Sequence, residues 1–500
     1  MFMDWYRRAS CCFAPDGRCD RRALLRGALL GAGGLVASGE SAQGAAFFAG
    51  AVRRDLPRVA VVGAGFAGLA CADELAALGY DVTVFEARDR SGGRVRTLRD
   101  FAAGKVIESG GELIGPNQPT WMAYARRFGL TFNEMPWPAS DTLCWGGKLL
   151  SAEAARALWG EMRSALERLN GLAEPIDADQ PWSSPGAAEL DRRSLQDWID
   201  RLDVSPRCRE LIAIQMTGIN GLIPAWQSLL GMLAIVKGGG LQKFWDETDT
   251  LHCVGGADQL ARRLATSLVE RRGAASLRTV TAVRSIFRRG NALVLSLSDG
   301  TDFIADDLVL TVPPTTWNKI GFDPPLPAAL TVPMAASTKY LAVFPSPVWR
   351  EMGRQANAMS DGPVQLTWET SAGQGEDGEH VLVAFAGGCA ADECRGWEAT
   401  DRDRRYREEI DRLFPGVGEK IVRGRLVDWV SDPWARGTYS FPAPGQVTTI
   451  GPILSAGHGP GWHFAGEHTC YAFTGWMEGA LRSGVSLANR LATRDGVMPD

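Results

Sequence analysis

The chain predicts an α/β fold in which a nucleotide-binding domain built on a parallel sheet is interleaved with a substrate domain of mixed sheet and helix (α+β). Three observations predict it. Residues 58–86 read as strand, glycine-rich turn, helix and strand. A second glycine-rich passage from strand to helix stands far downstream, at 463–484. Between them lie a helical stretch from about 150 to 240 and strand patterns from about 330 to 430. Two parts of one nucleotide site so distant in the chain require a discontinuous domain. The expected segments are 51–132, 250–328 and 440–495 for the nucleotide-binding domain, and 133–249 and 329–439 for the substrate domain.

The 500 residues suffice for two cores, and 45% apolar with 22% charged residues is ordinary globular composition. A net charge of -5 and five scattered histidines argue against a nucleic-acid partner. Residues 1–50 differ from the rest. Asp20-Arg21-Arg22-Ala23-Leu24-Leu25-Arg26, followed by a weakly apolar run from Gly27 to Ser38, reads as a twin-arginine export signal. The protein is therefore expected in the periplasm or outside the cell. The apolar run is shorter than the ~20 residues that a bilayer requires, so no transmembrane anchor is expected. None of the ten cysteines shows zinc spacing, Cys389 and Cys394 included, and no metal is expected.

The first motif carries a mechanism at each position. Arg58–Val62 is a branched apolar strand that leads into Gly63-Ala64-Gly65-Phe66-Ala67-Gly68. Gly63 allows the sharp turn, Gly65 lets backbone approach a pyrophosphate, and Gly68 lets helix and strand pack closely. Phe66 and Ala67 open a helix whose N-terminus faces the phosphates. Gly79 stops that helix, a second strand runs from Asp81 to Phe85, and Glu86 is placed to accept from ribose hydroxyls.

Glu86 runs straight into Ala87-Arg88-Asp89-Arg90-Ser91-Gly92-Gly93-Arg94-Val95. Here the chain resembles the glutathione-reductase-like flavoproteins that carry a Gly-Gly-Arg loop, and the flavin-containing amine oxidases among them. The resemblance implies FAD, with Ala87, Arg88, Gly92 and Gly93 along the cofactor and Arg94 donating to phosphate. It continues through Gly110-Gly111-Glu112-Leu113, similar to the family's second flavin loop, and Leu277 to Arg284, similar to a strand whose Val280 meets the adenine edge. It is most specific in Ala465-Gly466-Glu467-His468-Thr469 followed by Gly475-Trp476-Met477-Glu478-Gly479. That pairing implies close flavin contact at Gly466 and Glu467. It also implies a helix starting near Trp476 and Met477 whose dipole favours the anionic reduced flavin.

By resemblance to the monoamine oxidases, Lys339 matches the lysine bonded through water to flavin N5. Tyr439 and Trp476 match the two rings that sandwich the substrate nitrogen, and Trp429 is expected beside them. Tryptophan in place of the second tyrosine is shared with the amino-acid-oxidase branch. Thr438 stands where mitochondrial relatives carry the cysteine that bonds the flavin, so FAD is expected to be non-covalent. Leu113 and Glu112 occupy the place where amino-acid oxidases clamp a carboxylate with arginine.

The expected reaction is therefore oxidation of an amine to an imine, with dioxygen reduced to hydrogen peroxide. An L-amino-acid oxidase, or an amine dehydrogenase using an electron carrier, is the alternative. A desaturase-like enzyme shares only the N-terminal motifs, and a non-catalytic flavin module shares them without turnover. Glu112 and Asp249 are expected to shape the substrate pocket. An acid touching the reacting nitrogen would hold it protonated, so Asp249 is expected to meet a second, distal cation. A homodimer is compatible with the sequence.

Overall fold

The computed structural model describes residues 56–135 and 142–499, so the arginine pair and its apolar run lie outside the described residues. In chain order, the first unit is β1 (Arg58–Val62), α1 (Phe66–Ala77) and β2 (Asp81–Phe85). A helical region follows, with Ala152–Ala173 its longest member, then α2 (Pro206–Asn220), α3 (Leu229–Gly238) and α4 (Gln242–Glu247). The chain returns through β3 (Leu277–Arg278) and β4 (Asp307–Leu310). It then builds β5 (Ser337–Phe344), β6 (His380–Gly387) and β7 (Arg423–Asp428), and closes with β8 (Trp462–Phe464) and α5 (Met477–Arg494).

The nucleotide-side sheet has the order β8-β4-β1-β2-β3, and every pairing is parallel. Its strands come from three distant segments. Helices cover a parallel sheet on its faces, which is why β1, β2 and β4 are buried almost throughout. Two glycines set the closeness of that packing. A side-chain carbon on Gly68 would lie 2.0 Å from the Gly63 carbonyl oxygen, and one on Gly484 would lie 2.3 Å from that of Ala67. Gly484 thereby lets α5 cross α1 backbone to backbone.

The second sheet has seven strands, β7-β5-β6 followed by Leu366–Glu369, Ala358–Ser360, Leu143–Trp145 and Lys148–Leu149. The last two extend it beyond the expected 330–430. Gly146 and Gly147 both have positive φ, as a two-residue hairpin turn demands, and together they fold 143–149 into a ribbon. In β5, Lys339 stands opposite Phe385 on one side and Val427 on the other. By strand alternation it shares a face with Leu341 and Val343, directed away from Tyr340 and Ala342. Among the described residues no helix is long and apolar enough to cross a membrane.

Candidate active site

One cavity runs from the turn after β1 to the inner face of β5 and the N-terminus of α5. It is lined by Gly63, Gly65, Phe66, Ala67, Glu86, Ala87 and Arg88, by Gly92, Gly93 and Arg94, and by Gly110 through Leu113. Lys339, Trp429, Tyr439, Gly466, Glu467, Trp476, Met477 and Asp249 complete the set of sequence-predicted residues found there. Gly68 lies behind the wall, in the packing role just described. Val280 departs from expectation. The predicted strand breaks between β3 and a second strand beginning at Val283, and Val280 reverses the chain at φ 52 with 69% of its surface exposed. Thr281, Ala282 and Val283 line the cavity there instead.

The nucleotide half is a backbone cradle. Gly65 caps α1 with no side-chain cap, and a side-chain carbon built on it meets nothing within 4 Å, so it faces open cavity. The uncapped N–H groups of the first turn therefore point into that space. The buried Glu86 accepts from the Ala64 and Arg88 amides at 2.8 and 2.9 Å, which uses only part of its acceptor capacity. Arg90 folds over the Gly-Gly-Arg loop and donates to the Gly93 and Ser91 carbonyls at 2.9 and 3.1 Å. Nothing in the sequence distinguished it from its arginine neighbours. Helix α5 likewise begins on the cavity, with Trp476 as an N-cap that makes no side-chain cap bond. Two helix starts of positive dipole and a glycine-lined floor fit a flavin dinucleotide.

Arg94, expected to donate to phosphate, lines the cavity and also has partners within the protein. Its Nη1 donates to the Thr438 carbonyl at 2.7 Å and to Glu467 Oε1 at 2.9 Å. The reason is Glu467, a carboxylate only 4% exposed that requires a countercharge. Burial alone would raise the Glu467 carboxyl, but Arg94, His468 and the Ser440 hydroxyl outweigh it and hold it below the usual range. Glu467 also accepts from Ser440 Oγ at 2.7 Å and from the Gly475 amide at 3.0 Å. These partners flank the two predicted rings, Thr438 and Ser440 on either side of Tyr439, and Gly475 before Trp476. One buried ion pair thus braces both ring-bearing loops.

In the other half, Tyr439 accepts a hydrogen bond from Ser337 Oγ at 3.2 Å and donates to the Gly218 carbonyl at 3.3 Å. Burial pushes its hydroxyl up to about 12. The Trp476 indole donates to Asp249 Oδ1 at 3.3 Å and meets Phe244 edge to face at 5.7 Å. Asp249 lies just after α4 and is half-buried. Burial raises its carboxyl to about 6, against the Trp476 hydrogen bond. Aromatic residues absent from the sequence reading, Trp368 and Phe385 among them, complete this wall.

Glu112 is corrected from a substrate-facing acid to an internal partner. It is 4% exposed and forms an ion pair with Lys339 through Oε2. Its Oε1 accepts from Trp368 Nε1 at 2.9 Å and lies 3.2 Å from His252 Nε2. Burial would raise the Glu112 carboxyl, but Lys339 and His252 pull it well below the carboxylate range. A buried ammonium needs such a partner.

Comparisons with known proteins agree with this geometry. The family model described as flavin containing amine oxidoreductase matches residues 66–492. A protein of Mycobacterium tuberculosis provisionally named a flavin-containing monoamine oxidase is 32% identical over 458 residues, covering 87% of this chain and 96% of its own. An L-amino acid dehydrogenase of Synechocystis is 27% identical over 458 residues, covering 86% and 94%. The solved structure of a putrescine oxidase bound to putrescine superposes with a TM-score of 0.77 at 26% identity, covering 88% of this chain and 99% of that one.

Proposed function

The chain belongs to the flavin-containing amine oxidoreductases, and on that premise we propose that it oxidises the C–N bond of an amine with dioxygen as electron acceptor, yielding hydrogen peroxide. The observation that carries this reading is the meeting of Lys339, Tyr439 and Trp476 in the cavity that also holds the glycine cradle. A bound FAD supplies the acceptor for a hydride equivalent. The chain's own residues supply the rest. Tyr439 and Trp476 confine the amine between apolar faces and exclude water. Gly110, Gly111 and Met477 would hold the cofactor, and Lys339 presents an N–H donor to the same cavity. Loss of a hydride and a proton from the amine leaves an imine, and water then releases an aldehyde or ketone with ammonia or a smaller amine.

Non-covalent FAD is supported by Thr438, whose hydroxyl donates to the Ala335 carbonyl at 2.9 Å, and by the absence of cysteine from the described cavity lining. For the substrate, Asp249 lines the cavity beside Trp476, whose indole donates to it. It supports an amine carrying a second, distal cationic group. The relative that oxidises putrescine, a diamine, supports the same reading. The L-amino-acid reading keeps support from the Synechocystis relative and from Trp476. Export by the twin-arginine route remains part of the proposal; Arg21→Lys with Arg22→Lys should abolish it, and unchanged export would end that part.

The test is anaerobic bleaching of the flavin against a panel of monoamines, diamines and L-amino acids, followed by peroxide assay in air. Rapid bleaching by amines with stoichiometric peroxide is expected. Bleaching only by amino acids, or reduction without peroxide, would replace the proposal with one of its alternatives.

A further inference from the structure

We infer that Glu112 is the positioning residue for Lys339: its buried carboxylate fixes the lysine ammonium so that one N–H points into the cofactor cavity. The inference rests on the flavin reading of the cavity but not on the identity of the amine. An ammonium has three donors. Two of those of Lys339 are occupied, by Glu112 and by the Gly110 carbonyl at 2.9 Å. The side chain is 14% exposed and lines the cavity, so the third donor faces it.

Glu112 is itself immobilised from the opposite side. Trp368 Nε1 and His252 approach its other oxygen, and the Trp368 ring lies 5.5 Å from the lysine nitrogen. Four elements converge here: the Gly110–Leu113 loop, β5, the Leu366–Glu369 strand, and the Leu251–Cys253 strand that carries His252. This is far more constraint than a lysine on a strand requires for packing. It has the form of a supported donor, in which outer contacts lock the inner group. The arrangement also removes Glu112 from substrate binding, because both oxygens are taken within the protein.

The test compares FAD-loaded wild type, Glu112→Gln, Lys339→Met and the double variant. Trace acylation with acetic anhydride at pH 8, read peptide by peptide, reports Lys339 directly, with the exposed Lys148 as internal reference. Removing the charge-assisted contact with Glu112 should free the lysine nitrogen and speed acylation of Lys339 about tenfold, with Lys148 unchanged. The loss in kcat/KM should be about tenfold in Glu112→Gln and under about twofold when added to Lys339→Met. Unchanged labelling, or losses that add in full, would overturn the inference. Should Glu112→Gln fail to fold, Trp368→Phe keeps the carboxylate and removes one of its donors. It should raise labelling in the same direction by a smaller factor, and no rise counts against the inference. Acylation needs no amine turnover, so the pair can be judged even if the proposed reaction is wrong.

Discussion

Replacing Glu467 with glutamine should damage stability and catalysis together, because one side chain braces both aromatic loops. The carboxylate receives Arg94 on Oε1, and Ser440 Oγ with the Gly475 amide on Oε2. A glutamine keeps the shape but offers a single acceptor oxygen. If that oxygen stays with Ser440 and Gly475, the amide NH2 must face the Arg94 guanidinium, donor against donor. One charge-assisted bond is then lost, about 1.5–3 kcal/mol, and a buried donor is left unmatched, about 1–3 kcal/mol. The Arg94 side chain is 23% exposed, and water there recovers part of this. About 3 kcal/mol remains.

The assay is urea unfolding followed by flavin release, with kcat/KM measured at saturating FAD. The unfolding free energy should fall by about 3 kcal/mol, and kcat/KM by at least about tenfold as the rings lose their register. The acid side supplies a control. The native Glu467 carboxyl lies below its ordinary value of 4.5. Its contribution is therefore present above that value and lost as pH falls through the native one. Glutamine has no such charge to lose, so the acid-side slope should flatten. A variant within about 0.5 kcal/mol of wild type, with unaltered kcat/KM and unaltered acid slope, would refute the bracing argument.

Three further outcomes follow from single distances. Gly65→Val should fold normally yet fail to retain FAD, because its side chain enters open cavity, whereas Gly68→Ala should lower the melting temperature of the apoprotein itself through the 2.0 Å clash with the Gly63 carbonyl. Tyr439→Phe should cost less than about threefold in kcat/KM and Tyr439→Ala at least about a hundredfold if the ring face does the work; equal losses would assign the role to the hydroxyl. Burial, reinforced by Glu112, pushes the Glu108 carboxyl up to about 8 against the Ala257 amide that donates to it. The native state then holds that proton more tightly than the unfolded chain, so stability is lost as pH rises from about 4.5 to 8, and Glu108→Gln should be more stable than wild type at pH 9 but not at pH 4.

How much of the site could be read in advance follows from how far apart its partners stand in sequence. Gly63, Gly65, Gly68 and Glu86 are set by local backbone geometry, so spacing alone located them. Lys339, Tyr439 and Trp476 lie in unremarkable strand and loop composition, and only resemblance singled them out. The ties among them were invisible. Glu112 meets Lys339 across 227 residues and Glu467 meets Arg94 across 373, and no local pattern encodes such a meeting. The partner of Arg94 and the place of Val280 were hidden for related reasons. A motif fixes where an arginine sits but not which carboxylate claims it, and a branched residue in an apolar run gives no sign of a chain reversal. The hairpin at 143–149 was legible in principle from Gly146-Gly147, though it lies outside the 330–430 stretch where strands were expected.

The distribution of charge in the cavity bears directly on amine against amino acid. Among the described residues five cations line it, of which Arg88 is paired with Asp432, Arg94 with Glu467 and Lys339 with Glu112. Arg284 and Lys319 lie at the nucleotide end, where Lys319 donates to the Pro433 carbonyl. A substrate carboxylate placed between Tyr439 and Trp476 would instead meet Asp249, which accepts from the Trp476 indole. Burying a carboxylate without a partner costs several kcal/mol, and about 1.4 kcal/mol is a factor of ten. Phenethylamine should therefore exceed L-phenylalanine in kcat/KM by at least about a hundredfold, since the two differ only in the carboxylate. Asp249→Asn should narrow that gap, because it removes the repelling charge. It should also erase any preference for a diamine over a monoamine of equal length, a preference that in wild type should strengthen as pH rises through about 6 and Asp249 ionises. Equal rates for phenethylamine and phenylalanine would mean that one of the three paired cations releases its partner to bind substrate, and the electrostatic case for an amine would fail with it.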